Sequence, residues 1–461
     1  MRKRVAILGA GPSGLALLQA FETARKSGAE IPHIVCYEKQ GDWGGLWNYT
    51  WRTGLDSYGE PVHSSMYRYL WSNGPKECLE LADYTLDQHF GRPVPSFPPR
   101  AALRDYFLGR VKQSGVRPLI RFHTAVQWVD YCPERKVFTV TTRDLLRQRL
   151  NSNEYDHVVV ASGHYSTPNT PDFPGLDQFS GRVLHAHDFR DAREFAGQHL
   201  LLIGSSYSAE DIALQCHKYG AGSVTISHRS EPMGFNWPEG ISEAALLERV
   251  EGRTAHFVDG SQREVDAILL CTGYLHHFPF LPDSLALRTG NRMYPPGLYK
   301  GVVFARNPDL LYLGMQDQYF TFNMFDAQAW FARDLLLDRI TLPEPAAMSA
   351  DMEHWLTREA ELETAEEEID FQAAYMRDLL DRTDYPALDV EAMADQFKQW
   401  LQHKQECILG YREQRFPSTL TGTLAAAPNT SWLQALDDSS ESWFKPEAEE
   451  TVAEPRRVAH G

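Results

Sequence analysis

Cysteine is scarce and scattered: the 461 residues hold six, Cys36, Cys78, Cys132, Cys216, Cys271 and Cys407, and no two form a C-x-x-C pair. That excludes the redox-active dithiol of a disulfide reductase and the paired thiolates of a structural zinc site, and it speaks against a disulfide framework. No apolar run of about eighteen residues is present, so no segment is expected to cross a bilayer. Positive charge is in deficit. Forty-five Lys and Arg against 62 Asp and Glu give a formal net charge of −17, the wrong sign for a surface that grips a phosphate backbone. With no signal peptide ahead of the first apolar run, the expectation is a cytoplasmic protein whose ligands are small molecules rather than nucleic acid or membrane.

What the chain does have is one motif written twice. Val5 to Gly14 (VAILGAGPSG) is an apolar run entering Gly9, Gly11 and Gly14, and Leu200 to Ala209 (LLLIGSSYSA) is another entering a turn of small residues. Such a strand, turn and helix cradle a dinucleotide pyrophosphate: the first glycine makes the turn, the second lets backbone approach the phosphates, and the third lets the helix pack closely. In the second copy Gly204 keeps the first place, Ser206 stands at the second and Ala209 at the third, while Ser205, Ser206 and Ser208 offer hydroxyl donors. The strand after the first turn, Ile34 to Tyr37, ends on Glu38, a carboxylate suited to ribose hydroxyls. The strand after the second, Ser223 to Ser227, ends on His228 and Arg229, and a guanidinium there suits a 2′-phosphate. The pair reads as FAD first and NADPH second.

The order of elements predicts an α/β fold with two Rossmann-like dinucleotide-binding domains, the NADP domain inserted into a discontinuous FAD domain. The expected parts are 1–170 and 277–436 for FAD, the latter with the C-terminal helices, 171–276 for NADP, and a polar acidic tail over 437–461. Strands are expected at 2–8, 120–126, 156–161, 267–271 and 307–315, and helices at 13–27, 100–114 and 323–339. The Pro-rich stretch 167–174 marks the boundary, and the acidic run 359–368 reads as a solvated helical face.

Two segments carry a family resemblance. Glu38 to Trp47 (EKQGDWGGLW) and Phe179 to Phe189 (FSGRVLHAHDF), the latter matching F-x-G-x-x-x-H-x-x-x-[FY], resemble the flavin-containing monooxygenases. Leu70 to Glu77 (LWSNGPKE) is similar to that family's active-site stretch. Ser205 to Asp211 and Met315 to Gln318 are similar to its bacterial members that oxidise trimethylamine. The resemblance implies FAD contacts at Ser13, Glu38, Gln40, Leu46, Trp47, His63, Asn73, Val126, Gln318 and Thr321. It implies NADP contacts at Trp71, Asn73, Ser205, Ser206, Ser208, His228, Arg229 and Arg412, and a homodimer. No metal is expected, since His185 and His187 have neither carboxylate nor cysteine partners in the pattern.

The chemistry implied is hydride transfer from NADPH to flavin, capture of O2 at flavin C4a as a hydroperoxide capped by NADP+, and attack on it by a small tertiary amine such as trimethylamine, or by a sulfide. Asn73, Tyr207 and Asp317 are the expected catalytic residues: Asn73 for an amide that donates and accepts, Tyr207 for its bulk inside the second turn, Asp317 for ordering water or a proton beside Gln318. A Baeyer–Villiger monooxygenase stands as the alternative, although that group carries tryptophan where this chain has Phe189. An NADPH oxidase or reductase releasing H2O2 is the other.

Overall fold

The computed structural model describes residues 2–436 and Trp443, so the expected tail falls outside the described residues except for Trp443. Two parallel sheets organise the chain. The larger has seven strands in the spatial order Leu298–Tyr299, Val303–Phe304, Leu310–Tyr312, His157–Val160, Arg4–Leu8, His33–Tyr37, Ile120–Arg121. Its last five pair in parallel, and the first three join one another antiparallel. The smaller has five parallel strands in the order Ile241–Ala244, Ser223–Ser227, His199–Ile203, Ala267–Leu270, Arg182–His185. The larger sheet draws on both ends of the chain and the smaller on the stretch between them.

Burial explains the strand sequences. Val5, Ala6 and Ile7 are fully buried and Leu8 nearly so, as are Leu200 to Ile203. Strands covered on both faces read as unbroken apolar runs. In each sheet the first strand of the unit lies at the centre, with the next strand on one side and a later one on the other. That reversal opens a crevice beyond the C-terminal strand ends, where ligands of such sheets bind. Helix Pro12–Lys26 follows the first crevice and packs on Phe322–Leu336, and helix Tyr207–Lys218 follows the second. Short strands Thr167–Pro168 and Tyr274–Leu275 pair antiparallel where the chain passes between the sheets.

Helix Arg100–Ser114 runs from Pro99 to Gly115, whose φ of 75° ends it in the left-handed conformation. The strand expected at 120–126 is instead two, Ile120–Arg121 and Thr124–Cys132. His123 breaks it, with a φ of 51° and its N–H given to the Gln40 carbonyl. The run expected at 307–315 shortens to Leu310–Tyr312.

The acidic run 359–368 is not one helical face. Helix Pro345–Ala360 ends within it and helix Ala365–Leu380 begins within it, capped by Thr364 and Glu367 in a reciprocal box. Glu366, Glu367 and Glu368 occupy the first turn, where negative charge suits the helix dipole. Glu359 is turned inward to accept from Arg292 and from the Met293 N–H.

Candidate functional site

The first turn is assembled from three loops at the end of strand Arg4–Leu8. Gly9, at φ 111°, donates its N–H to the Tyr37 carbonyl, and a Cβ there would lie 2.6 Å from the Ala161 carbonyl oxygen. A Cβ on Gly14 would strike the Gly9 carbonyl oxygen, so the helix sits as close to the turn as glycine allows. Gly11 caps the helix, with Pro12 at its first position. Two glycines that the fingerprint alone did not single out complete the cradle. A Cβ on Gly45 would come within 2.8 Å of the Gly11 Cα, and one on Gly314 within 2.5 Å of the Ser13 Oγ. Both close approaches need the tertiary fold to be seen.

Glu38 is 5% exposed, and its two oxygens accept the N–H groups of Ala10 and Gln40, each at 2.8 Å. Burial raises its carboxyl pKa, and the two backbone bonds oppose that. Each oxygen retains a lone pair for a further donor. Gln40 gives its amide to the Gly45 carbonyl and accepts from Asn48. A cavity of about 590 Å³ opens beside it, lined also by Asp42, Tyr49, Arg100 and Arg104.

His63 is held neutral, its pKa lowered to about 3 chiefly by burial, with Lys39 and His187 adding to the effect. Val126 is half-buried beside a bulge in its strand. Leu46 and Trp47 form one short helical turn, and the Trp47 ring packs on Phe107 and Phe322. Thr321 heads helix Phe322–Leu336 without spending its side chain on a cap. The Gln318 Oε1 and the Trp71 Nε1 are buried without hydrogen-bond partners among the described residues.

The second turn repeats the first. Gly204, at φ 117°, donates its N–H to the Ser227 carbonyl, and a Cβ on it would strike the Cys271 carbonyl oxygen. Ser206 caps the helix through its backbone and leaves its hydroxyl unused, and Ala209 is fully buried where the first copy needs glycine. His228 has a buried Nδ1 without a partner, and Arg229 is exposed. No carboxylate pairs with Arg229 among the described residues.

Asn73 is exposed. Tyr207 begins helix Tyr207–Lys218 and packs against Tyr319 and Trp400, and burial raises its phenol pKa. Asp317 accepts the N–H of Gln318 at 3.0 Å and the hydroxyl of Tyr165 at 3.5 Å, and burial raises its carboxyl pKa. Helix Ala365–Leu380 holds this loop, Gln372 donating to the Asp317 carbonyl and Glu368 accepting from the Tyr319 hydroxyl. Phe320 is fully buried against Phe397 and lies beneath the surface.

Arg412 is buried and committed: Nη2 donates to Asp211 at 2.7 Å and Nε to the Ser72 carbonyl at 3.1 Å, while Nη1 is buried without a partner. His185 and His187 are likewise engaged. His185 bonds the Gly273 carbonyl and the His187 N–H, and His187 bonds Asp188. Asp211, the last residue of the Ser205 to Asp211 segment, accepts from both Arg412 and Tyr67. Its partners lie more than a hundred residues away in either direction, so nothing local announces them.

Residues 2–236 match the family model described as flavin-binding monooxygenase-like. The chain is 61% identical over 446 residues to a trimethylamine monooxygenase of Methylocella silvestris, covering 96% of this chain and 99% of that one. It superposes on the crystal structure of Tmm from Pelagibacter sp. strain HTCC7211 with a TM-score of 0.94 at 53% identity, covering 96% of this chain and all of that one. An S-allyl-L-cysteine S-oxygenase from Allium sativum is similar at a TM-score of 0.77 and 27% identity, over 90% of this chain and 95% of that one.

Proposed function

The chain belongs to the flavin-binding monooxygenase-like family, and from that premise we propose that it is an NADPH- and O2-dependent enzyme that converts small tertiary amines, trimethylamine first among them, to N-oxides. Near full-length likeness to a trimethylamine monooxygenase is the observation that carries the choice of amine. Family membership implies a flavin, and the first turn fits FAD: Gly14 closes on Gly9 and Gly45 on Gly11 where side chains would clash, and Glu38 keeps free lone pairs. The second turn fits NADPH, with the His228 Nδ1 orphaned and Arg229 without a carboxylate. On this reading 171–276 is an NADP domain inserted into an FAD domain formed by 1–170 and 277–436. No helix among the described residues is long and apolar enough to cross a membrane.

When bound, the flavin supplies the two-electron chemistry that links NADPH to O2. In the net change NADPH, a proton, O2 and the tertiary amine give NADP⁺, water and the amine N-oxide. The protein's part is to hold and to exclude. Glu38 and Gln40 anchor the ribose side of FAD, Ser13 and the helix N-terminus receive its pyrophosphate, and Gln318 and Thr321 meet it from the opposite loop. Ser205, Ser206 and Ser208 receive the NADP pyrophosphate, with His228 and Arg229 on the 2′-phosphate. Trp71, Asn73 and Tyr207 would hold the nicotinamide end, and the Arg412 Nη1 is a buried donor without a partner among the described residues. Asp317, with its raised pKa and two donors, holds a proton or a water at the reacting end.

The test is oxygen consumption by the FAD-loaded protein with NADPH, with and without trimethylamine, assaying N-oxide and H2O2. Stoichiometric N-oxide supports the proposal. H2O2 alone would make the chain an oxidase, and ester formed from a ketone would make it a Baeyer–Villiger enzyme.

A further inference from the structure

The segment Tyr67 to Asn73 is tied to one face of the second-turn helix. Asp211 is 5% exposed, and its carboxylate accepts the Tyr67 hydroxyl on one oxygen and the Arg412 guanidinium on the other. The same guanidinium donates to the Ser72 carbonyl. One turn along the helix, Gln215 donates its amide to the Tyr69 carbonyl at 2.7 Å. Residues four apart share a helix face, so Asp211 and Gln215 grip the segment at Tyr67, Tyr69 and Ser72.

Tyr69 shows that the grip is under load. Its φ of 64° is a left-handed conformation that a bulky residue keeps only where its surroundings enforce it. Among the contacts that hold it are the Gln215 bond, the stack of its ring on Tyr219, 5.1 Å between centroids, and the guanidinium groups of Arg68 and Arg193 over the same ring. Tyr67 is fixed in turn by the Phe189 ring at 5.1 Å, edge to face. Trp71 lies within the gripped stretch and Asn73 directly after it, and at the N-terminus of the gripping helix lie Ser205 to Ser208.

We propose that Asp211 and Gln215 are positioning residues that set the spacing between Asn73 and the second nucleotide turn, and so determine how firmly NADP is retained over the flavin and how much O2 leaves as H2O2. The proposal rests on the NADP reading above. Neither residue touches the nucleotide; they act through the 67–73 backbone. With the spacing kept, NADPH and O2 yield N-oxide and water. With it lost, the same electrons leave as H2O2, in the balance NADPH + H⁺ + O2 giving NADP⁺ + H2O2.

The experiment uses Gln215→Met and Tyr67→Phe in the FAD-loaded chain, each removing one bond without burying an unpaired charge, with Asp211→Asn as the stronger variant. Three readouts are taken: backbone hydrogen exchange over 67–75, the NADP+ dissociation constant, and the H2O2 share of O2 consumed with trimethylamine. The expected result is faster exchange, NADP+ affinity weakened about fivefold per bond removed, and a raised H2O2 share, with FAD content unchanged. Faster exchange with unaltered NADP+ affinity and H2O2 share would reduce the contacts to fold stability and overturn the proposal, as would unaltered exchange. If Asp211→Asn does not fold, the two milder variants decide. A wild-type chain that binds no NADP+ would instead overturn the NADP reading itself.

Discussion

In the turn after Leu8, Gly9 gives its N–H to Tyr37 and faces the Ala161 carbonyl; in the turn after Ile203, Gly204 gives its N–H to Ser227 and faces the Cys271 carbonyl. The backbone has solved one problem twice, in two sheets whose first strand is flanked by the next strand on one side and a later one on the other. The turns differ in how they are finished. The first has glycine wherever another backbone closes in, and a buried carboxylate spent on two backbone N–H groups. The second has room for Ser206 and Ala209, and ends on an imidazole and a guanidinium that no described carboxylate neutralises. On the proposed reading, the first would hold its nucleotide as part of the structure and the second would take one up and release it.

Substitution at Gly14 breaks the comparison most severely. Gly14→Ala drives a methyl into the Gly9 carbonyl and is expected to lower FAD retention by about a hundredfold or more, read as flavin content after purification. Glu38→Gln comes next. Its amide would turn an N–H toward one of the two backbone N–H groups it now accepts, and a buried donor left unmet weakens FAD binding by about tenfold or more. Arg229→Ala should raise the KM for NADPH about tenfold and leave that for NADH nearly unchanged, since only NADPH carries the 2′-phosphate; equal shifts would contradict the assignment.

The joint between the two regions gives a pH signature. His164 and His276 flank the crossing strands, stack at 4.3 Å, and bond the Gly314 and Met315 carbonyls beside the first turn. Burial, with His276 adding to it, lowers the His164 pKa from 6.5 to about 3. Between those values the unfolded chain binds a proton that the folded chain refuses, so stability is full above pH 6.5 and falls as pH drops, by up to about 1.4 kcal/mol per unit. His164→Gln should remove one proton from that slope in urea unfolding between pH 6.5 and 4.5. The smallest effect belongs to Ala209→Gly, at the position matching Gly14, where NADP+ affinity should change by less than about twofold.

How much of this could be read in advance depends on the range of the interaction. The two turns were legible because small residues recur at fixed short spacing behind an apolar strand, and Gly14 answers the Gly9 carbonyl five positions earlier. Helix Arg100–Ser114 was legible to its ends because Pro99 and Gly115 bracket it. The strand through His123 was misjudged because its break is enforced by the Gln40 carbonyl, more than eighty positions earlier. The acidic run was misjudged because charge alone does not separate a solvated face from a helix N-terminus, and Glu368 turns out to hold Tyr319. Asp211 and Gln215 were invisible because their meaning lies in Tyr67, Tyr69 and Arg412, which only the fold brings to them.

The central claim is that two like turns take unlike nucleotides, and it is tested most directly by titrating the FAD-loaded protein with NADP+ and with NAD+. The account predicts that NADP+ binds at least about tenfold more tightly than NAD+ and leaves the flavin in place. Equal affinities, or displacement of FAD by NADP+, would contradict it.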